Sequence, residues 1–97
     1  MTKFQRQNEL KDLGFLPLKR EDYSYCLTYG QGHNDIFPIE YRERSWTNAY
    51  EVFFFGCKII IDNLDWDDSI RKIVPAMECL ATMIERNHAR ACTASTN

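Results

Sequence analysis

Long apolar runs are missing from this sequence. Nowhere in its 97 residues is there an uninterrupted stretch of the roughly 18 apolar residues that a membrane-spanning helix needs. The opening segment, MTKFQRQNELKD, also lacks the apolar core of a secretory signal peptide. These absences predict a cytoplasmic protein that does not enter a membrane.

Closely spaced cysteines are absent as well. The four cysteines stand far apart, at Cys26, Cys57, Cys79 and Cys92, whereas structural zinc sites usually contain ligands separated by only a few residues. Cysteines of cytosolic proteins usually remain reduced. We therefore expect free thiols, no disulfide framework, no bound metal and no other cofactor.

The sequence contains no nucleophile elbow, no HExxH motif and no phosphate-binding loop of the Walker type. His33 and Asp35 could suggest a general base, and Gly30 and Gly32 a phosphate site, but the segment GQGHND has the composition of a turn. We therefore predict that the protein is not an enzyme.

An excess of positive charge is absent: 12 Lys and Arg residues stand against 14 Asp and Glu residues, and the net charge is −2 at pH 7. Residues 1–20 hold five cations against two carboxylates, whereas residues 51–70 hold one cation against five carboxylates. A nucleic-acid-binding domain usually has a basic balance, so nucleic acid is not the expected partner. The alternative that stays open is a nucleic-acid-binding accessory protein that uses its basic N-terminal segment, namely Lys3, Arg6, Lys11, Lys19 and Arg20.

A short helix is predicted at the N-terminus. Thr2 and Gln5 have the spacing of a capping box, and Gly14 fits the left-handed position that ends a helix. A contact between Leu10 and Phe15 would complete that helix end. The positions expected to be buried are Phe4, Leu10 and Leu13.

Alternating side chains predict strands at residues 23–29 and 36–45, the second starting late because Pro38 cannot donate a ladder hydrogen bond. Segment 49–62 is either one strand with a bulge at Gly56 or a hairpin. The hairpin is preferred because it sorts the side chains cleanly by face. A type II′ turn with Gly56 in the first central position would pair Phe54 with Ile59, Phe53 with Ile60, and Val52 with Ile61.

An amphipathic helix is predicted over residues 66–87, where apolar side chains recur every three or four positions. Pro75 would either kink this helix or divide it in two. Residues 1–90 are expected to form one domain and residues 91–97 a flexible tail. The predicted fold class is α+β: an N-terminal helix, an antiparallel meander of three or four strands, and a long C-terminal helix packed on one face of the sheet.

The acidic segment DNLDWDD permits three interpretations. Asp65 could cap the long helix, with Asp67 and Asp68 in its first turn. The carboxylates could instead bind a metal, although their register does not match a calcium loop. They could also form an acidic recognition surface with Trp66 as its aromatic anchor. The residues of that surface are Asp62, Asp65, Trp66, Asp67 and Asp68.

The predicted hairpin also places Phe53, Phe55 and Ile60 on the second face of the sheet. That face is either covered by the N-terminal helix or open, in which case it would bind another protein or a second copy of the chain.

The favoured hypothesis is a small non-enzymatic protein-binding domain, an inhibitor or regulator that docks on a larger cytosolic protein or complex through an acidic and aromatic surface. The target could itself bind nucleic acid. Small phage anti-defence proteins and toxin-immunity proteins share this general profile, which is an analogy of composition and not of motif.

Overall fold

Two helices and five strands make up the fold. The computed structural model describes residues 2–45, 47, 49–62 and 64–95, with side chains as far as residue 87. The elements are α1 (Lys3–Asp12), β1 (Leu16–Leu18), β2 (Tyr25–Tyr29), β3 (Ile39–Glu43), β4 (Tyr50–Phe54), β5 (Cys57–Ile61) and α2 (Trp66–Ser95). The predicted α+β class is confirmed, with five strands rather than three or four. In this part of the chain no helix is long and apolar enough to cross a membrane.

Helix α1 begins and ends as its sequence predicts. The Thr2 hydroxyl accepts a hydrogen bond from the Gln5 backbone, and the Gln5 side chain accepts one from the Thr2 backbone. At the other end Gly14 has φ +106°, and the Phe15 N–H donates to the Leu10 carbonyl, as in a Schellman motif. Leu10 and Phe15 are both buried.

The burial of two α1 residues differs from the sequence prediction. Phe4, predicted to be buried, is exposed, and Arg6 is buried instead. Arg6 donates from Nε to the Tyr41 hydroxyl, 3.2 Å away, and its guanidinium lies over the Tyr50 ring. Polar and cationic groups therefore form much of the contact between α1 and the sheet.

The strands form an antiparallel meander in the order β1-β2-β3-β4-β5. The preferred β4–β5 hairpin is confirmed, but its turn is different. Phe54 pairs with Cys57, so Phe55 and Gly56 are the central residues, with φ of +48° and +82°. Two consecutive positive φ angles are typical of a type I′ turn, not of the predicted type II′ turn.

A bulge in β5 changes which isoleucines face the helices. Phe53 pairs with Lys58 but Val52 pairs with Ile60, which leaves Ile59 without a cross-strand partner. The extra residue reverses the alternation of the strand beyond it. The predicted pairing was therefore wrong, and Ile60 joins the core while Ile61 lies on the opposite face.

Both helices pack on the same face of the sheet. Trp66 at the start of α2 donates a hydrogen bond to Glu9 of α1 at 2.6 Å, and Arg6 of α1 bonds to Tyr41 of β3. The core between the layers contains Leu10, Phe15, Leu27, Ile39, Tyr41, Tyr50, Val52, Ile60, Trp66, Ile73 and Leu80. The other face of the sheet, called the open face below, is covered by neither helix.

Helix α2 is continuous through Pro75 as far as Ser95. The helix therefore extends into the segment 91–97 that was predicted as a tail, and residues 96 and 97 lie outside the described part of the chain. Leu80 is its last core residue, and the described side chains from residue 81 to residue 87 are exposed.

Candidate protein-binding surfaces

The acidic segment lies where β5 ends and α2 begins. The Asp65 carboxylate accepts a hydrogen bond from the Asp67 N–H at 3.1 Å, which confirms the capping interpretation. Asp68 pairs with Arg71 at 2.9 Å on the helix surface. Asp62, Asp65, Asp67 and Asp68 are all exposed. No cluster of three potential metal ligands occurs within the described ranges.

Trp66, the predicted anchor of this acidic surface, is a core residue with 6% of its surface exposed. Its ring meets Tyr41 and Tyr50 edge-on, at centroid distances of 6.0 and 5.4 Å. The sequence contained the signal for this burial: Trp66 precedes Ile70 and Ile73 by four and seven positions, so it belongs to the apolar stripe of the helix. The acidic surface therefore has no aromatic anchor at this position.

The three predicted sheet residues do not share a surface. Phe53 does lie on the open face, but only 7% of it is exposed, and Ile60 lies in the core at 2%. Phe55 is 43% exposed and belongs to the turn.

The five N-terminal cations are also separated. Arg6 is buried under α1, while Arg20 pairs with Glu40 on the open face. Lys3 donates to the Arg44 carbonyl, and the Lys11 ammonium lies 5.6 Å from the centre of the Tyr25 ring. The segment therefore does not present its cations, which also include the exposed Lys19, as a single patch.

The open face is built from two rows of side chains that cross all five strands. The strand registers define the first row as Leu16, Thr28, Glu40, Phe53 and Lys58, and the second as Leu18, Cys26, Arg42, Glu51 and Ile61. Glu40 and Arg42 alternate with Ile39 and Tyr41 along β3, so the sequence of this strand alone places them on one face. Only the register across strands brings Phe53 and Glu51 beside them.

Glu40 is the buried carboxylate at the centre of the first row. Its side chain is 4% exposed and accepts hydrogen bonds from Arg20 Nε at 2.8 Å and from Arg42 Nε at 2.9 Å. Burial alone would raise the pKa of Glu40, but the bonds from Arg42 and Arg20 outweigh it and hold the pKa below its ordinary value. Glu40 is therefore charged at neutral pH.

Glu51 has the same arrangement in the second row. Arg44 Nη2 lies 2.9 Å from one carboxylate oxygen and Lys58 Nζ lies 2.9 Å from the other. Burial alone would raise the pKa of Glu51, but Lys58 and Arg44 lower it by more, so that the net shift is downward. Each buried carboxylate thus holds two cations whose outer parts reach the surface.

Arg42 is the most constrained of these cations. Its Nε and Nη2 donate to the two oxygens of Glu40, and its guanidinium lies 4.0 Å from the Phe53 ring centre and 5.0 Å from that of Tyr23. Burial alone would lower its pKa, but the hydrogen bonds to Glu40 and Tyr23 raise it. The side chain is nevertheless 21% exposed, so part of a constrained arginine reaches solvent.

The Cys26 thiol lies beneath this face and is unreactive by its environment. Burial raises the pKa of Cys26 to about 11, and the nearby Glu40 charge adds to the shift. Only a small fraction of this thiol is a thiolate at neutral pH, so it is a packing group of the open face.

A separate groove lies at the end of the sheet where α2 leaves it. It has a volume of about 600 Å³ and is bounded by Pro38, Phe55, Leu80, Met83, Ile84 and the neutral residues Gly30, Gln31 and Asn87. Phe55, Met83 and Ile84 are all exposed large apolar side chains. The groove was not predicted, because the register of α2 against the turns decides which side chains meet there.

Comparisons with known proteins give no further guide. No protein-family model, no curated protein and no solved structure matches the chain. The function is therefore inferred from the two surfaces themselves.

Proposed function

We propose that this chain is a non-enzymatic, cytoplasmic protein-binding domain that regulates a larger protein or complex, and that it docks through the open face with Arg42 as its central anchor. The observation that carries the proposal is the rigid, partly exposed Arg42 side chain, held between Glu40, Phe53 and Tyr23 on a face that neither helix covers.

Preorganisation makes such a side chain a good anchor. Immobilising a flexible side chain at an interface costs about 0.5–1.5 kcal/mol. Arg42 is already immobilised by two hydrogen bonds and two rings before any partner arrives, so less entropy remains to be lost. Arginine and tyrosine are also the residue types that most often dominate binding energy.

Apolar and acidic residues lie at the edges of the open face. Leu16 and Ile61, at opposite edges of the sheet, are exposed on the same face. Asp62 follows Ile61 and lies close enough to contribute to the raised pKa of Arg44, after the larger effect of Glu51. In this proposal Asp62 lies at the edge of the docking surface, and the exposed Asp65, Asp67 and Asp68 at the start of α2 attract a basic partner surface at longer range.

The experiment is affinity capture from a cell lysate treated with nuclease, followed by affinity measurement with the captured protein. Arg42→Gln should weaken binding about thirtyfold, the effect of losing a central anchor. Arg20 remains on Glu40 in this variant, so the fold should persist, which thermal unfolding verifies. Lys72→Gln is the control, because Lys72 is an exposed cation on α2, away from the open face.

Two results would contradict the proposal. Equal affinity of the wild type, Arg42→Gln and Ile61→Asp would exclude the open face as the docking surface. If the partner is captured only without nuclease, and added RNA or DNA binds with a steep salt dependence, the chain would be a nucleic-acid-binding protein instead.

A further inference from the structure

The groove between the β4–β5 turn and α2 is apolar and has no charged residue among those that line it. This property distinguishes it from the open face, where four cations and two carboxylates meet. In a two-fold contact each side chain near the axis meets its own copy, so charges there repel. An uncharged lining avoids that repulsion.

Helix α2 extends beyond the sheet on the side of this groove. Its last core residue is Leu80, yet it continues to Ser95. Residues 81–95 correspond to about 22 Å of helix, in a molecule that measures 55 × 27 × 22 Å. Met83 and Ile84 continue the stripe of Ile73, Met77 and Leu80 past the edge of the sheet, where no part of the described chain covers them.

Phe55 lines the same groove in a backbone conformation that aromatic residues seldom adopt. Its φ is +48°, in a turn whose central positions favour asparagine, aspartate and glycine. The ring contacts Phe54 edge-on at 4.9 Å but remains 43% exposed. Phe55 is therefore poorly suited to the turn and well suited to an apolar contact, which indicates that its exposed ring has a role in binding.

We infer that the groove is occupied by a second copy of this chain: the extended end of α2 of each protomer lies antiparallel in the groove of the other. Half the side of a cylinder 22 Å long and 10 Å across is about 350 Å². Each copy buries this helix surface and, in addition, the turn residues of its own groove, such as Phe55 and Pro38. The contact therefore lies below the ~800 Å² per partner of a standard interface, and the expected dimer is a weak one that forms at high protein concentration. The open faces stay free in this dimer, so the inference does not depend on the proposed function.

The test is the mass of the purified full chain in solution, measured by sedimentation or light scattering as a function of concentration. The wild type should approach twice 11.5 kDa. Ile84→Asp and Phe55→Asn should each raise the dimer dissociation constant at least about tenfold. Leu64→Asp and Phe4→Asp replace exposed apolar residues outside the groove and should leave the constant unchanged.

Three outcomes would overturn the inference. The first is a chain that stays monomeric at concentrations up to about 1 mM, where even a weak dimer is populated. The second is a dimer that Ile84→Asp and Phe55→Asn leave intact. The third is a monomer whose groove amides become protected from hydrogen exchange only when a captured partner protein is added. Binding of that partner by the monomeric variants distinguishes loss of dimerisation from loss of the proposed function.

Discussion

At the scale of single residues, the two central residues of the β4–β5 turn differ in how well they suit a positive φ. Gly56 has a positive φ that glycine adopts freely, whereas Phe55 has one that costs an L-residue roughly 1–2 kcal/mol. The edge contact with Phe54 offsets part of this cost, since aromatic pairs contribute about 0.5–1.5 kcal/mol.

Comparing Phe55→Asn with Phe55→Ala should isolate the backbone cost. Both variants lose the ring, but only asparagine is favoured at a positive φ. The Asn variant should therefore be more stable than the Ala variant by about 1 kcal/mol, measured by urea unfolding. Equal stability of the two would show that the turn relaxes to another conformation.

At the scale of elements, α2 accommodates a feature that usually ends a helix. Pro75 lies ten residues into a continuous helix and is exposed. A proline there removes one backbone hydrogen bond and crowds the preceding turn. The apolar stripe on both sides of Pro75, with Ile73 and Leu80 in the core, holds the two halves of the helix on one sheet face.

Pro75→Ala should raise the free energy of unfolding by up to about 3 kcal/mol, because alanine restores the backbone hydrogen bond at an exposed helix position. Thermal or urea unfolding measures this gain. Thr82→Ala, another exposed site on α2, should change stability by only a few tenths of a kcal/mol. A destabilised Pro75→Ala variant would mean that a bend at Pro75 is needed for packing.

At the scale of the whole molecule, the two layers are stabilised in different ways. The helix-covered face is an aromatic and aliphatic core. The open face is held by Glu40 and Glu51: Glu40 pairs with Arg20 and with Arg42 of its own strand, and Glu51 pairs with Arg44 and Lys58. The folded-state pKa values of both carboxyls lie below their ordinary values, so their ionised form stabilises the fold.

The free energy of unfolding should consequently depend on pH below neutrality. Because both pKa values are lowered on folding, the contribution is complete above the unfolded pKa of about 4.3 and is lost as the pH falls through the lower folded values. Urea unfolding between pH 7 and pH 3 should show this loss. Glu51→Gln should be less stable at pH 7 with a shallower pH dependence, whereas Glu78→Gln, at an exposed α2 position, should parallel the wild type.

Local patterns predicted more of the fold than of the candidate site. The capping box at Thr2, the helix end at Gly14 and the cap at Asp65 each depend on residues a few positions apart, and each was predicted correctly. Ile60 was placed on the wrong face because the bulge at Ile59 arises between two strands. The open face and the groove depend on pairings between distant segments, which no single stretch of sequence contains.

The sequence by itself determined the order and type of the main elements, because hydrophobic period and capping chemistry act over a few residues. Tertiary structure alone decided that Arg6 is buried, that Arg42 lies between Phe53 and Tyr23, and that Phe55 lines one groove with Met83 and Ile84. The physical reason is that burial and ion pairing depend on strand register and on how the helices lie across the sheet, which emerge only when the whole chain packs.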